Sequence, residues 1–287
     1  MTVAAYAKVN LTLEVFGARA DGYHALRSIV APISLADAIE IEPAETLSSD
    51  SPYADDLCLR AAAALRGWRE AAGRRLSPAG AAIHVVKRIP AGGGLGGGSA
   101  DAAAVLLALN DMWGLGLAPE ALAGIAASVG SDVPALVIAQ HYRSPVVMEG
   151  RGEKVRLLAG AVGRRLDLVL ANPGVHASTK EVFALAGVRG EDCPSATDRC
   201  AAALASGDLG SIASSLANDL TDPACRLHPE IADAISAMRG VGAAGVTMSG
   251  SGSTVFGLVD CEADGARAAK ALSAAGIWAR CARLLTA

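Results

Sequence analysis

Between Pro90 and Ala104 the chain reads Pro-Ala-Gly-Gly-Gly-Leu-Gly-Gly-Gly-Ser-Ala-Asp-Ala-Ala-Ala, six glycines running into an alanine-rich stretch. Glycine has no Cβ to keep an anion from the backbone and tolerates positive φ, so successive N–H groups can converge on oxygen. A helix start adds partial positive charge, and together these features suit phosphate. Ser99 is placed to cap the helix. A Walker loop needs Gly-Lys-Ser/Thr at the helix start, and Gly97, Gly98 and Ser99 supply no lysine. Gly92, Gly94 and Gly97 satisfy G-x-G-x-x-G, with Ile83 to Ile89 reading as a preceding strand. A dinucleotide fold, however, needs a second parallel strand ending in an acidic residue. Instead Leu117 to Val129 has helical spacing, so the order is strand, loop, helix, helix. A ligand-free glycine turn is an equal alternative on these residues alone.

Two further segments carry possible chemistry. Ala5 to Val15 alternates like a strand and puts Lys8, Asn10 and Thr12 on one face. Thr247-Met248-Ser249-Gly250-Ser251-Gly252-Ser253-Thr254 is a second loop of small residues before the apolar run Val255 to Val259. Singly, a solvated strand face and a hairpin turn explain them. Asp101 falls in the first turn of the glycine-loop helix, where the helix dipole favours an anion; water-mediated magnesium binding is the sharper alternative.

In this order the three segments resemble the signature of the GHMP kinase superfamily, the small-molecule kinases of homoserine, mevalonate and related alcohols. Asp21-Gly22-Tyr23-His24 is similar to the branch that phosphorylates a cytidine-diphosphate-linked methylerythritol in non-mevalonate isoprenoid synthesis. Gly130-Ser131-Asp132-Val133-Pro134, Asn172-Pro173-Gly174-Val175, Ser178-Thr179-Lys180-Glu181-Val182-Phe183 and Asn218-Asp219-Leu220 extend the likeness over nearly the whole chain. Ser253, where the family usually has proline, and His141 to Met148 depart from the pattern.

The resemblance implies transfer of the γ-phosphoryl group of ATP, with Mg²⁺, to a tertiary alcohol. Lys8 and Asp132 take the family's catalytic places, and Pro90, Ala91, Gly92, Gly93, Gly94, Leu95, Gly96, Gly97, Gly98, Ser99 and Ala100 its ATP loop. His24 would bond the cytosine edge, Tyr23 and Phe183 sandwich the ring, and Asn10 and Thr179 place the methylerythritol end or its phosphates. Another kinase of the superfamily should lack Asp-Gly-Tyr-His. A catalytically silent nucleotide sensor should have lost Lys8 or Asp132. The other histidines, His84, His141, His176 and His228, show no metal spacing and receive no role, and no protein metal site is indicated.

The elements that must position these residues read as an α+β fold. The resemblance implies two domains, residues 1–160 with the glycine loop and residues 161–287 with a ferredoxin-like fold, the substrate cleft lying between them. A surface loop from Glu45 to Asp56 leads into a helix from Leu57 to about Ala72. Leu166 to Leu170 reads as a buried strand, and helices follow at about Lys180 to Leu185, Asp198 to Ala205, Asp208 to Ala217, Pro229 to Met238 and Ala263 to Ala275.

With 287 residues, 52% of them hydrophobic but only 3% aromatic, the chain can fill sizeable cores with Ala, Val, Leu and Ile. A net charge of −4 provides no basic field for nucleic acid, so anionic ligands depend on local donors. No apolar run approaches a membrane span and no secretory leader is evident, so a cytoplasmic protein, monomer or homodimer, is expected. The six cysteines form no C-x-x-C pair and are expected to be reduced.

Overall fold

A computed structural model describes residues 1–18, 24–51, 55–74, 78–158, 165–189 and 194–286. The first sheet is built on two long antiparallel strands, β1 (Thr2–Ala18) and β2 (His24–Ala44). The odd positions Ala5, Ala7, Val9 and Leu11 of β1 enter the main hydrophobic core, and Leu13 and Val15 a second one. Its even positions Lys8, Asn10, Thr12 and Glu14 are polar and equally buried. Irregularities in the ladder flank Lys8, which lies opposite Pro32, and the Lys8 N–H donates to Leu95 O at 3.0 Å. A bulged strand re-aims its side chains, and here it also ties the strand to the glycine loop.

Beyond β2 lie β3 (Leu47–Ser49), helix α1 (Leu57–Ala71) and β4 (Gly80–Val86), giving the order β3-β4-β2-β1. Two expectations shift. The segment Glu45 to Asp56 contains a short parallel strand, and the strand before the glycines stops at Val86 rather than Ile89. The buried carboxylate of Asp37 ends it by accepting the N–H groups of Arg88 and Ile89, the latter at 2.9 Å, so the ladder cannot continue.

Helix α2 (Gly97–Met112) then runs through the centre of the core, its residues from Ala100 to Leu106 all buried. Alanine suits this place because neighbouring elements approach closely on every side. Helices α3 (Pro119–Ala126) and α4 (Val133–Tyr142) pack beside it. Strands β5 (Val146–Gly150) and β6 (Lys154–Leu157) follow; β5 pairs with the first half of β2, which fixes the register of the atypical segment before Glu149-Gly150.

The second sheet begins with β7 (Asp167–Asn172). Next come α5 (Thr179–Ala184), α6 (Ala196–Ser206), α7 (Leu209–Ser215), β8 (Ala217–Asn218), α8 (Thr221–Leu227) and α9 (Pro229–Gly240). Strands β9 (Ala244–Met248) and β10 (Val255–Val259), helix α10 (Glu262–Ala274) and β11 (Trp278–Arg283) complete the chain. The antiparallel order β11-β7-β10-β9 is the ferredoxin-like arrangement. All six residues of β7 are buried: Val169 and Ala171 face one core, while Leu168 and Leu170 join the main core with Phe256 and Leu258 of β10. Strand β8 adds to the edge of β1 in parallel, and α6 lies against the polar face, where Thr197 hydrogen-bonds Thr12 at 2.9 Å and Ala196 N donates to Glu14 at 2.8 Å.

Candidate active site

Ser249, in the loop between β9 and β10, joins the three segments. Its hydroxyl accepts the Asn10 N–H at 3.2 Å and donates to Gly94 O at 2.9 Å. Thr254 N donates to Gly93 O at 3.0 Å, and Asn172 holds the Thr254 hydroxyl at 2.9 Å. Asn218 fixes the same loop from behind, its Nδ2 donating to Met248 O at 2.7 Å and Gly250 O at 2.8 Å while its Oδ1 accepts Leu220 N. The Asn-Asp-Leu marker is thus a fastener, since one amide group supplies both donors that the loop carbonyls need.

The glycines serve two distinct purposes. A Cβ on Gly94 would overlap the Ser249 carbonyl oxygen, one on Gly93 would lie 2.7 Å from Asn172 Nδ2, and one on Gly96 3.1 Å from the Lys8 stem. Those glycines are demanded by the protein's own packing. At Gly98 the nearest atom is Leu57 Cδ1, 3.5 Å away, so space there is left for a ligand. Gly96, at φ +68°, turns the chain into α2, and no side chain caps the helix. Ser99 lies inside the first turn instead of capping it. The N–H groups of Gly97, Gly98 and Ser99 have no partner within the helix, the arrangement that binds an anion.

A cleft of about 560 Å³ opens in front of this helix start, lined by Pro90, Ala91, Gly92, Gly93, Gly94, Gly96, Gly97, Gly98 and Ser99 of the loop. Leu95 and Ala100 are instead buried in the main core. Lys8, Asn10 and Asp132 form one wall, and Thr179, Phe183 and Gly250 to Gly252 another.

Lys8 is 3% exposed; its Nζ donates to Asn10 Oδ1 at 2.6 Å and lies 3.6 Å from Asp132 Oδ2. Burial lowers the Lys8 pKa below the usual lysine value, against the opposing pull of Asp132. Asn10 in turn donates to Ser28 Oγ at 2.8 Å, and Ser28 donates to Thr12 O at 2.5 Å. Both ends of the Asn10 amide are therefore engaged within the protein, and the residue also lines the cleft. Asp132 precedes α4 without capping it, and its side chain is 37% exposed, facing the cleft. A helix cap does not account for it.

At the other wall the His24 and Phe183 rings stack with centroids 5.8 Å apart and planes 25° from parallel. His24 Nδ1 lies 3.2 Å from Phe16 O, and Thr179 Oγ1 hydrogen-bonds Ser251 Oγ at 2.8 Å. Tyr23, with Asp21 and Gly22, lies outside the described residues.

One charged cluster escaped the sequence analysis. Lys87, on the cleft wall, donates to Asp37 Oδ2 at 2.5 Å and Asp101 Oδ2 at 2.6 Å. Asp101 is 2% exposed, and burial, reinforced by Asp37 and opposed by Lys87, pushes its pKa up to about 7. Because α2 starts at Gly97, Asp101 lies beyond the first turn in which the sequence put it, and its carboxylate is held by Lys87. The available signal was Lys87 three residues before Pro90. His176 also lines the cleft. Among the described residues no group of three or more His, Cys, Asp or Glu side chains is arranged to hold a metal, and no helix is long and apolar enough to cross a membrane. Cys58, Cys200, Cys225, Cys261 and Cys281 are free thiols.

Comparison with known proteins gives concordant matches. Residues 56–140 match the GHMP kinases N terminal domain and residues 200–277 the GHMP kinases C terminal domain. The 4-diphosphocytidyl-2-C-methyl-D-erythritol kinase of Symbiobacterium thermophilum is 43% identical, covering 92% of this chain and 93% of the relative. That of Parvibaculum lavamentivorans is 41% identical over 97% and 96%. A crystal structure of 4-(cytidine 5'-diphospho)-2C-methyl-D-erythritol kinase superposes with a TM-score of 0.83, at 37% identity and full coverage of both chains. Homoserine kinase from Cytophaga hutchinsonii, at 17% identity and a TM-score of 0.74 over 99% and 94%, shares the fold.

Proposed function

The chain belongs to the 4-diphosphocytidyl-2-C-methyl-D-erythritol kinases of the GHMP superfamily, and from that premise we propose how its own residues carry the reaction. The enzyme transfers the γ-phosphoryl group of ATP to the 2-hydroxyl of 4-diphosphocytidyl-2-C-methyl-D-erythritol. The hydroxyl oxygen forms the new bond to phosphorus, the bond to the bridging oxygen of ADP breaks, and the hydroxyl proton must leave. Asp132 receives or orients that proton, being the accessible carboxylate beside the glycine-rich helix start. Lys8 stands 3.6 Å from that carboxylate and offers positive charge to the transferring group. Asn10 holds the ammonium in place. The observation that carries this assignment is a buried lysine spent on a single exposed carboxylate at the mouth of an anion-binding helix start.

We assign the phosphates of ATP to the N–H groups of residues 97–99, the cytidine end to His24 and Phe183, with Tyr23 beside them in sequence, and the methylerythritol end or its phosphates to Asn10 and Thr179 on the cleft wall. On this assignment residues 1–160 form the ATP-binding part and residues 161–287 contribute the rest of the substrate wall. Magnesium usually keeps most of its water and takes one or two carboxylates beside substrate phosphates. Asp132, on the cleft wall beside the start of α2, would face it, whereas Asp101 is held by Lys87. When bound, the ion would offset charge on the phosphates.

A coupled ADP-release assay with the cytidine substrate beside homoserine and mevalonate tests the assignment. Turnover with the cytidine substrate alone is expected; equal turnover of mevalonate would contradict it.

A further inference from the structure

We propose that His176 binds a phosphate group of the ligands that fill the cleft, an inference that rests on the kinase assignment above. His176 is exposed on the cleft wall and packs directly against the glycine loop. A Cβ on Gly92, itself at φ +64°, would lie 2.7 Å from the imidazole Nδ1 and 3.2 Å from Cε1. The backbone that presents it is fixed: Gly174 N donates to Asn172 Oδ1 at 2.7 Å, and Ser253 Oγ donates to Val175 O at 2.6 Å.

The charge balance of the cleft gives this placement its meaning. Among the described residues lining it, the basic side chains are Lys8, Lys87 and His176, facing the carboxylates of Asp55, Asp101 and Asp132. Lys8 is taken up by Asn10 and Asp132, and Lys87 by Asp37 and Asp101. Neither ammonium is left uncommitted, while the bound pair of substrates brings two polyphosphate chains. The His176 imidazole has no hydrogen-bond partner among the described residues and stands at the edge of the loop that cradles phosphate. A ring N–H donated to a phosphate oxygen adds a side-chain donor beside the backbone N–H groups of residues 97–99.

The test is calorimetric binding of AMP-PNP, and separately of CDP, to the intact protein as wild type, His176→Ala and His176→Arg, with melting temperatures recorded. Alanine should weaken one of the two ligands by about fivefold, the scale of a solvent-accessible charged contact, with an unchanged melting temperature. Arginine, which keeps a side-chain donor, should hold affinity near wild type. Loss toward AMP-PNP assigns the contact to ATP, and loss toward CDP assigns it to the alcohol substrate. If alanine leaves both affinities within about 1.5-fold, or arginine fails to restore the loss, the proposal is overturned. Failure of AMP-PNP to bind wild type would instead overturn the glycine-loop assignment on which it rests.

Discussion

Alanine at Gly98 adds one methyl group whose nearest neighbour, Leu57 Cδ1, is 3.5 Å away at ordinary van der Waals distance. The position is helical, and glycine is the poorer helix former by up to about 1 kcal/mol, so the fold should tolerate or welcome the change. The methyl group nevertheless stands on the first turn, where phosphate oxygens must approach the N–H groups. Losing one charge-assisted hydrogen bond there costs roughly 1.5–3 kcal/mol, or about 10- to 150-fold in ATP affinity. Gly94→Ala is the control with the opposite signature. Its Cβ would overlap Ser249 O and lie 3.0 Å from Gly252 O, at φ +75°, and it would disturb the Ser249–Gly94 bond. That substitution should destabilise the protein by roughly 2–4 kcal/mol. Thermal melts and calorimetry with AMP-PNP measure both variants. Gly98→Ala that binds AMP-PNP within about twofold of wild type, with an unchanged melt, would refute the placing of phosphate at the start of α2.

Asn218→Asp turns a carboxylate oxygen toward Met248 O and Gly250 O, so kcat should fall at least tenfold and the melting temperature should drop, whereas an intact kcat would detach the Asn-Asp-Leu marker from the site. Because the folded-state pKa of Asp101 is raised from the ordinary 3.8 to about 7, the folded protein holds a proton there that the unfolded chain releases, and stability falls as pH rises across that window. The melting-temperature advantage of Asp101→Asn over wild type should therefore be larger at pH 8 than at pH 4; a gap that does not change with pH would show that Asp101 does not titrate there. His24→Ala should raise KM for the cytidine substrate by roughly 5- to 150-fold, the range of an unmade buried hydrogen bond, and leave AMP-PNP affinity unchanged; equal losses for both ligands would place His24 elsewhere in the mechanism.

The glycine loop opening a helix and the strand bearing Lys8 were legible because their physics is local: glycine spacing, a helix start, and alternation at period two. Lys8, Asn10 and Thr12 do share a face, but alternation alone made that face a solvated one. It is buried because the second half of the chain packs on it: Thr197 hydrogen-bonds Thr12, Ala196 N donates to Glu14, and Gly250 lies against the Lys8 ammonium. The same distance in sequence hid the tie from Lys87 to Asp37, and with it the true setting of Asp101. Ser99 failed as a cap for a different reason: Gly96 in the left-handed region starts the helix earlier and leaves its N–H groups open for a ligand. Strands β5 and β11 were not foreseen, since short segments such as Trp278–Arg283 take their conformation from the ladder they join.

The central claim, that Lys8 and Asp132 act as one unit on the reacting hydroxyl, is tested most directly by single-turnover phosphoryl transfer with both substrates saturating. Wild type, Asp132→Asn, Lys8→Met and the double variant are to be compared. A positioned base contributes ~10²–10⁴ in rate, so each single variant should lose about that much, and the double variant should be scarcely slower than the poorer single one. Near-normal transfer by Asp132→Asn, or losses that multiply in the double variant, would contradict the account.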